Sequence, residues 1–174
     1  LAAAFTDLGL ETDGKVASYL YNSIEYMEGV YATWKCRSAP VNVNYRYLEG
    51  ELRYLLENSD TDILLFHGVL GDQVAKVWRD VPMLKAIVQV DDGHPLVEGA
   101  HRYEDLMAAH EPAARVEKSG DDLYIPYTGG TTGMPKGVMW RNEDLFNPHG
   151  PAVRVLLAPT QAPSPAHPTA GPRP

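Results

Sequence analysis

The 174-residue chain is 44% hydrophobic and 22% charged, the balance of a soluble globular protein with one ordinary core. Its net charge of −8 excludes a surface built for nucleic acid, which needs clustered Lys and Arg, and leaves any anionic ligand to local donors rather than a general positive field. No apolar run approaches the roughly 18 residues of a membrane span, and the start shows no basic-then-apolar leader pattern. The first residue is Leu1 rather than Met, so the natural N-terminus is expected upstream. The single cysteine, Cys36, cannot pair internally. That suits a reducing, cytoplasmic setting, and Cys36 reads as a small buried hydrophobe rather than a nucleophile.

Strand and helix signals then alternate. Lys15 to Tyr21 is strand-like, and Asn22 with Glu25 three residues on has the spacing of a capping box. Met27, Val30, Tyr31 and Trp34 follow at helical spacing and are expected to face a core. Pro40 to Tyr45 alternates as a strand does. Leu48 to Glu57 is helical with Leu52, Leu55 and Leu56 on one face, and Ile63 to Phe66 is an apolar strand of the kind covered on both sides. Val74, Val77 and Trp78 mark a helix that stops near Pro82, and Lys85 to Val90 is the next buried strand. Asp91-Asp92-Gly93 turns the chain, Tyr103 to His110 is a short helix, and Leu123 to Tyr127 is a strand. Such alternation implies βαβ units. The expected fold is an incomplete α/β domain, doubly wound, with a mostly parallel sheet flanked by helices over about residues 12–146.

The most informative stretch is Tyr127-Thr128-Gly129-Gly130-Thr131-Thr132-Gly133-Met134-Pro135-Lys136-Gly137. Glycines let backbone approach a ligand closely, successive N–H groups form an anion nest, and the threonine hydroxyls add rotatable donors. Lys136 adds a full positive charge. The combination fits a polyphosphate. It is not a Walker loop, because Lys136 follows Pro135 and precedes Gly137 instead of Ser or Thr, and Gly137 to Trp140 reads as a second short strand rather than a helix. The dinucleotide fingerprint is absent too. A Gly/Thr-rich stretch alone is more often a linker, but here ten positions stand in register. Thr128 to Gly137 resembles the phosphate loop of AMP-forming acyl-CoA synthetases and related adenylating enzymes at every specified position.

The resemblance continues elsewhere. Gly14 to Glu28, Ala39 to Tyr47 and Leu48 to Asp60 are similar to three early segments of that family. Trp140 after Gly-Met-Pro-Lys-Gly-Val-Met resembles the actinobacterial fatty-acyl and steroid side-chain branch. The resemblance implies that Thr128, Gly129, Gly130, Thr131, Thr132, Gly133 and Lys136 hold the β- and γ-phosphates of ATP, with Mg2+ as its counterion and CoA as co-substrate. It implies a carboxylic acid substrate as well. The family's downstream acidic motif, ribose-binding aspartate, hinge and catalytic lysine have no counterpart here, so no catalytic residue and no metal ligand is assigned. Residues 1–146 read as a partial N-terminal AMP-binding domain.

Residues 147–174 carry eight of the 14 prolines and read as a tail without fixed structure. A frame-shifted or truncated reading of a GC-rich gene is favoured over a natural linker. Other candidates are weaker. The six histidines show no metal-ligand spacing, and the pairs Asp91-Asp92 and Asp121-Asp122 sit in turn-like settings where solvated carboxylates are expected. Ser119 and Ser164 lack a nucleophile elbow. Trp34, Trp78, Tyr31 and Tyr54 read as core. The expectation is therefore part of an AMP-forming acyl-CoA synthetase, inactive alone. The alternatives are a non-catalytic remnant or phosphate-binding module, and an adenylation domain that loads a carrier protein.

Overall fold

The computed structural model describes residues 1–128 and 133–146. In it eight strands form one sheet. β1 (Lys15–Tyr19), β2 (Ala39–Asn42), β3 (Ile63–His67), β4 (Ala86–Val90), β5 (His101–Arg102), β6 (Leu123–Thr128) and β7 (Lys136–Gly137) lie in the order β5-β4-β3-β1-β2-β6-β7, and β8 (Trp140–Arg141) also pairs with β6. All pairs from β5 to β6 are parallel, and β7 and β8 run antiparallel to β6. Six helices complete the fold: α1 (Ala2–Asp7), α2 (Ile24–Lys35), α3 (Glu49–Asn58), α4 (Gly71–Val77), α5 (Tyr103–Ala109) and α6 (Asn142–Phe146). Among the described residues no helix is long and apolar enough to cross a membrane.

The period-two alternation of the strands builds two cores. Ala17, Tyr19, Leu64, Phe66 and Ile87 meet Leu52, Leu55 and Leu56 of α3 and Val74 and Val77 of α4 on one face. Val16, Ile63, Leu65 and Val88 meet Phe5 of α1, Ala32 of α2 and Tyr103 of α5 on the other. Helices on both faces make the sheet doubly wound, as expected, and explain why β3 and β4 are apolar at successive positions. β2 lies on one side of β1, and β3 and β4 on the other. The winding direction therefore changes between β1 and β3, and ligands of open α/β sheets gather outside the carboxyl ends of the strands near such a point.

Helix α2 departs from expectation in two ways. Its cap is Ser23, not Asn22: Ser23 is extended, with φ −152° and ψ 175°, and its hydroxyl accepts from Tyr26 N at 3.3 Å. Its inward face is Gly29, Val30, Ala32 and Thr33, whereas Met27 and Tyr31 are 48% and 59% exposed. The reason is close approach. A Cβ at Gly29 would stand 2.7 Å from Leu65 Cδ2, so the helix rests on the sheet through its small side chains. The large ones, at the same spacing, point outward. Helix α1 buries Ala2, Ala4 and Phe5.

The turn-like acids also divide. Asp121 is exposed and pairs with Arg141 at 2.8 Å. Asp122 is instead only 5% exposed, and its carboxylate accepts from Arg37 Nη2 at 3.0 Å, Arg37 Nε at 3.2 Å and Ser119 N at 3.0 Å. The expectation of a solvated pair fails for Asp122 because its partner is 85 residues away in sequence. Cys36 is half-buried rather than fully buried. Burial pushes its thiol upward, against the smaller opposing pull of the Thr6 hydroxyl, so it stays protonated.

Gly29→Val is expected to destabilise the fold by about 1–3 kcal/mol through overpacking against Leu65. Urea unfolding checks this, and a midpoint equal to that of the unmodified chain would contradict the close α2–sheet contact.

Candidate functional site

Residues 123–128 and 136–141 form a single antiparallel hairpin. Leu123 stands opposite Arg141, Tyr124 opposite Trp140, Tyr127 opposite Gly137 and Thr128 opposite Lys136, one constant register throughout. The expected strand from Gly137 to Trp140 is thus interrupted into β7 and β8. The interruption lies opposite Pro126, which has no N–H to give. Val138 N still donates to Pro126 O at 3.0 Å, but nothing returns. Pro126 is also the last residue paired with β2.

This register sets the mouth of the loop. Thr128 and Lys136 face each other across the hairpin, both exposed. Directly opposed residues of an antiparallel pair point to the same face, with Cβ atoms roughly 4.5–5.5 Å apart. A hydroxyl and an ammonium therefore flank the two ends of the loop at the carboxyl end of β6. Of the expected phosphate-loop residues, the structure places Thr128, Lys136 and Gly133. Gly133 is exposed, with open space where a Cβ would be. Gly129, Gly130, Thr131 and Thr132 lie outside the described residues. Beneath the mouth, Tyr127 is 7% exposed and its hydroxyl donates to Asn58 Oδ1, at the end of α3, at 2.8 Å. Sequence reasoning left Tyr127, Gly137 and Asn58 out of the site. An aromatic set against a glycine at equal distances from a loop centre is the signal that could have found the first two.

The root of β6 is held by side chains from α2 and the turn after it. Trp34 Nε1 donates to Leu123 O at 3.1 Å, the Tyr26 and Tyr124 hydroxyls lie 3.4 Å apart, and Arg37 binds Asp122. Trp34 also meets Tyr124 and Phe146 edge-on, with centroids 6.1 and 5.9 Å away.

A second set of side chains gathers at the carboxyl ends of β1, β2 and β3. Tyr21 and Tyr45 stack at 4.7 Å, tilted by 48°, and Tyr21 N donates to His67 Nδ1 at 3.1 Å. Accepting at Nδ1 places the proton of a neutral imidazole on Nε2. Burial lowers the His67 pKa, outweighing the opposing pull of Asp92 and Glu25. Glu25 is itself held low by its own backbone amide and by the Ser23 hydroxyl. Next door, Asp92 accepts from Val69 N at 2.8 Å and lies 3.0 Å from His94 Nδ1. Among the described residues no group of three or more His, Cys, Asp or Glu is placed to hold a metal ion.

A doubly wound, mostly parallel sheet with a loop following the carboxyl end of β6 defines an open α/β protein, a class whose ligands gather outside the strand ends. The family model described as AMP-binding enzyme matches residues 1–155, and the chain belongs to that family. It is 41% identical over 160 residues to the 3-oxocholest-4-en-26-oate–CoA ligase of Rhodococcus rhodochrous, covering 90% of this chain and 29% of that protein. It is 44% identical over 133 residues to the medium-chain acyl-CoA ligase Mig of Mycobacterium avium, covering 74% and 24% respectively. Among solved structures, a long-chain-fatty-acid–CoA ligase of Archaeoglobus fulgidus superposes with a TM-score of 0.72 at 28% identity, over 89% of this chain and 29% of that chain. An anthranilate CoA ligase in complex with anthranoyl-AMP superposes with a TM-score of 0.76 at 23% identity, over 82% of this chain and 28% of its own, a likeness of fold. The chain spans less than a third of the length of these relatives. The relatives carry the names expected of the fatty-acyl and steroid side-chain branch.

The His67 geometry has a pH signature. A base whose folded pKa lies below its ordinary value of 6.5 binds fewer protons folded than unfolded. Its contribution to stability is complete above about pH 6.5 and lost as the pH falls through the lowered value. Urea midpoints measured from about pH 7.5 down to pH 5 are expected to fall less steeply for His67→Asn, which cannot titrate, than for the unmodified chain. Parallel curves would contradict the neutral, Nδ1-accepting imidazole.

Proposed function

We propose that this chain is the phosphate-gripping part of an ATP-dependent, AMP-forming acyl-CoA synthetase. The overall reaction joins a fatty acid or other lipophilic carboxylate to CoA, with ATP going to AMP and pyrophosphate. The observation that carries the reading is the Thr128–Lys136 mouth at the carboxyl edge of the sheet, in a chain of the AMP-binding family whose relatives are named as CoA ligases of fatty and steroid acids.

In this reading Thr128, Gly129, Gly130, Thr131, Thr132, Gly133 and Lys136 receive the β- and γ-phosphates of ATP. Backbone N–H groups and hydroxyls supply charge-assisted hydrogen bonds, and Lys136 neutralises charge on the departing pyrophosphate. The carboxylate attacks the α-phosphorus, the bond to the β-phosphate oxygen breaks, and pyrophosphate leaves with that electron pair. The CoA sulfur then attacks the acyl carbon and displaces AMP. Mg2+ bound to ATP would supply charge neutralisation of the phosphates beside Lys136. Such chemistry is mostly positioning and electrostatics. These residues supply one half of it: they hold the leaving group. The acyl and CoA sites belong to parts of the fold outside the chain, and the chain by itself is a binding unit without turnover.

The expected Kd for inorganic pyrophosphate is millimolar, because hydrogen bonds to a charged group contribute about 1.5–3 kcal/mol each while association and ordering cost several kcal/mol. Calorimetric titration should show Lys136→Ala weakening pyrophosphate by about tenfold, the equivalent of roughly 1.4 kcal/mol. Affinity unaffected by Lys136→Ala would overturn the loop assignment. Carboxylate-dependent pyrophosphate release from ATP by the 174-residue chain would overturn the claim that it does not turn over.

A further inference from the structure

We propose that Tyr127 and Gly137, braced by Asn58, are positioning residues that fix the register of the loop mouth and so keep Lys136 on the same face as Thr128. The proposal deepens the phosphate-loop reading and rests on it.

The two residues stand directly opposite each other. Residues 126 and 138 are hydrogen-bonded partners through Val138 N and Pro126 O. The antiparallel alternation then makes 127 and 137 a non-hydrogen-bonded pair, the kind in which backbones and side chains come closest. Here the pair has no backbone hydrogen bond to lock it, and its neighbour at Pro126 has lost one of two. The same alternation makes Thr128–Lys136 a hydrogen-bonded pair, but backbone bonds are alike in every register, so the choice of register falls to the side chains.

Gly137 supplies the space. A Cβ there would lie 2.9 and 3.0 Å from Cε2 and Cζ of the Tyr127 ring and 3.0 Å from Ile125 Cγ2. Those atoms belong to a ring and a branched side chain inside the core of the α3 face, not to a flexible end that could swing aside. The ring therefore lies across the glycine, the arrangement by which an aromatic restores packing to an edge glycine and pins a register. The hydrogen bond from Tyr127 to Asn58 Oδ1, at 2.8 Å, ties the ring to the end of α3 and stops it turning away. Burial raises the phenol's pKa, assisted by Tyr54 and Asp60, so the donor proton is retained.

The consequence for Lys136 follows from the pleat. A slip of one residue would carry every side chain of β7 to the opposite face of the sheet, placing Lys136 toward α3 and a glycine opposite Thr128. The anchors at the root of β6 cannot prevent this, because Trp34, Tyr26 and Arg37 all hold residues 122–124. Tyr127 and Gly137 are at the right place to do so, one residue from the mouth.

The test measures register and affinity separately on the full 174-residue chain. Register is read as the Hα–Hα contact between residues 127 and 137 in NMR spectra, a contact short only in a non-hydrogen-bonded pair. Affinity is read with inorganic pyrophosphate. Gly137→Ala is expected to abolish the Hα–Hα contact and to weaken pyrophosphate about tenfold, although Lys136 and Thr128 are both present. In the double variant Tyr127→Ala/Gly137→Ala the effects are expected to be non-additive, the affinity no lower than that of the weaker single variant. Tyr127→Phe, which keeps the ring and the fold, is expected to retain the contact and to lower affinity by roughly threefold through loss of the Asn58 brace. An Hα–Hα contact surviving in Gly137→Ala, or additive losses in the double variant, would overturn the proposal. Absence of pyrophosphate binding by the unmodified chain would overturn the phosphate-loop reading alone, because the contact and its response to Gly137→Ala are measured without ligand.

Discussion

The Arg37–Asp122 contact is the constraint on which the site depends. A carboxylate taken almost wholly out of water must be compensated by charge and hydrogen bonds, and among the described residues Arg37 and the Ser119 amide do so for Asp122. Arg37 is held in turn by its backbone, a left-handed residue at φ 58° whose carbonyl accepts from Asp13 N at 3.0 Å. The loop before β1, the turn after α2 and the entry to β6 are thereby fastened together. Asp122 O also accepts from Asn142 N at 2.8 Å, which brings the end of the hairpin back to its beginning. A strand arriving late in sequence is thus fixed beside β2, and its far end delivers Thr128 to the carboxyl edge of the sheet.

The hairpin built on that strand divides its labour by position. At its root, aromatic packing and the Trp34 hydrogen bond attach it to α2. In the middle, Pro126 removes a donor, ends the pairing with β2 and leaves the antiparallel ladder with a gap. At its tip, Tyr127 packs into the α3 core while Thr128 and Lys136 remain exposed. One face of a six-residue strand therefore belongs to the core, and the residue beside it stands exposed at the mouth of the loop. Glycine is tolerated at Gly137 without loosening the strand because a neighbour's ring fills the missing side chain's place. The same economy appears at Gly29, where absence of a side chain lets α2 approach Leu65.

The carboxyl edge holds a second constellation. Tyr21, Tyr45 and His67 meet there at the point where the winding of the sheet reverses. His67 is kept neutral by burial and oriented by the Tyr21 amide, while Ser23 begins α2 just beyond. These groups are drawn together by topology: their strands are neighbours in space, although the residues are spread over more than forty positions of sequence.

Much of this was legible in the chain itself. Apolar runs bounded by turn residues located β3 and β4, because a strand buried on both faces is apolar nearly throughout, and shorter strand-like patterns located β1 and β6. Leucines at helical spacing gave the inward face of α3. The loop from Thr128 to Lys136 was singled out by residue type, since glycines, hydroxyls and a lysine in that spacing suit an anion wherever they stand, and of it the fold places Thr128, Gly133 and Lys136. What the tertiary structure alone decided were relations between distant residues. Met27 and Tyr31 had the spacing of a core face, yet the close approach permitted by Gly29 turned the helix to its small side. Asp122 looked like half of a solvated pair until folding brought Arg37 to it. Gly137 read as part of a motif, and only the register across the hairpin showed that it lies under the Tyr127 ring. Local pattern reports what a residue can do in any context; packing and charge compensation depend on which distant atoms arrive beside it, and that is settled by the fold.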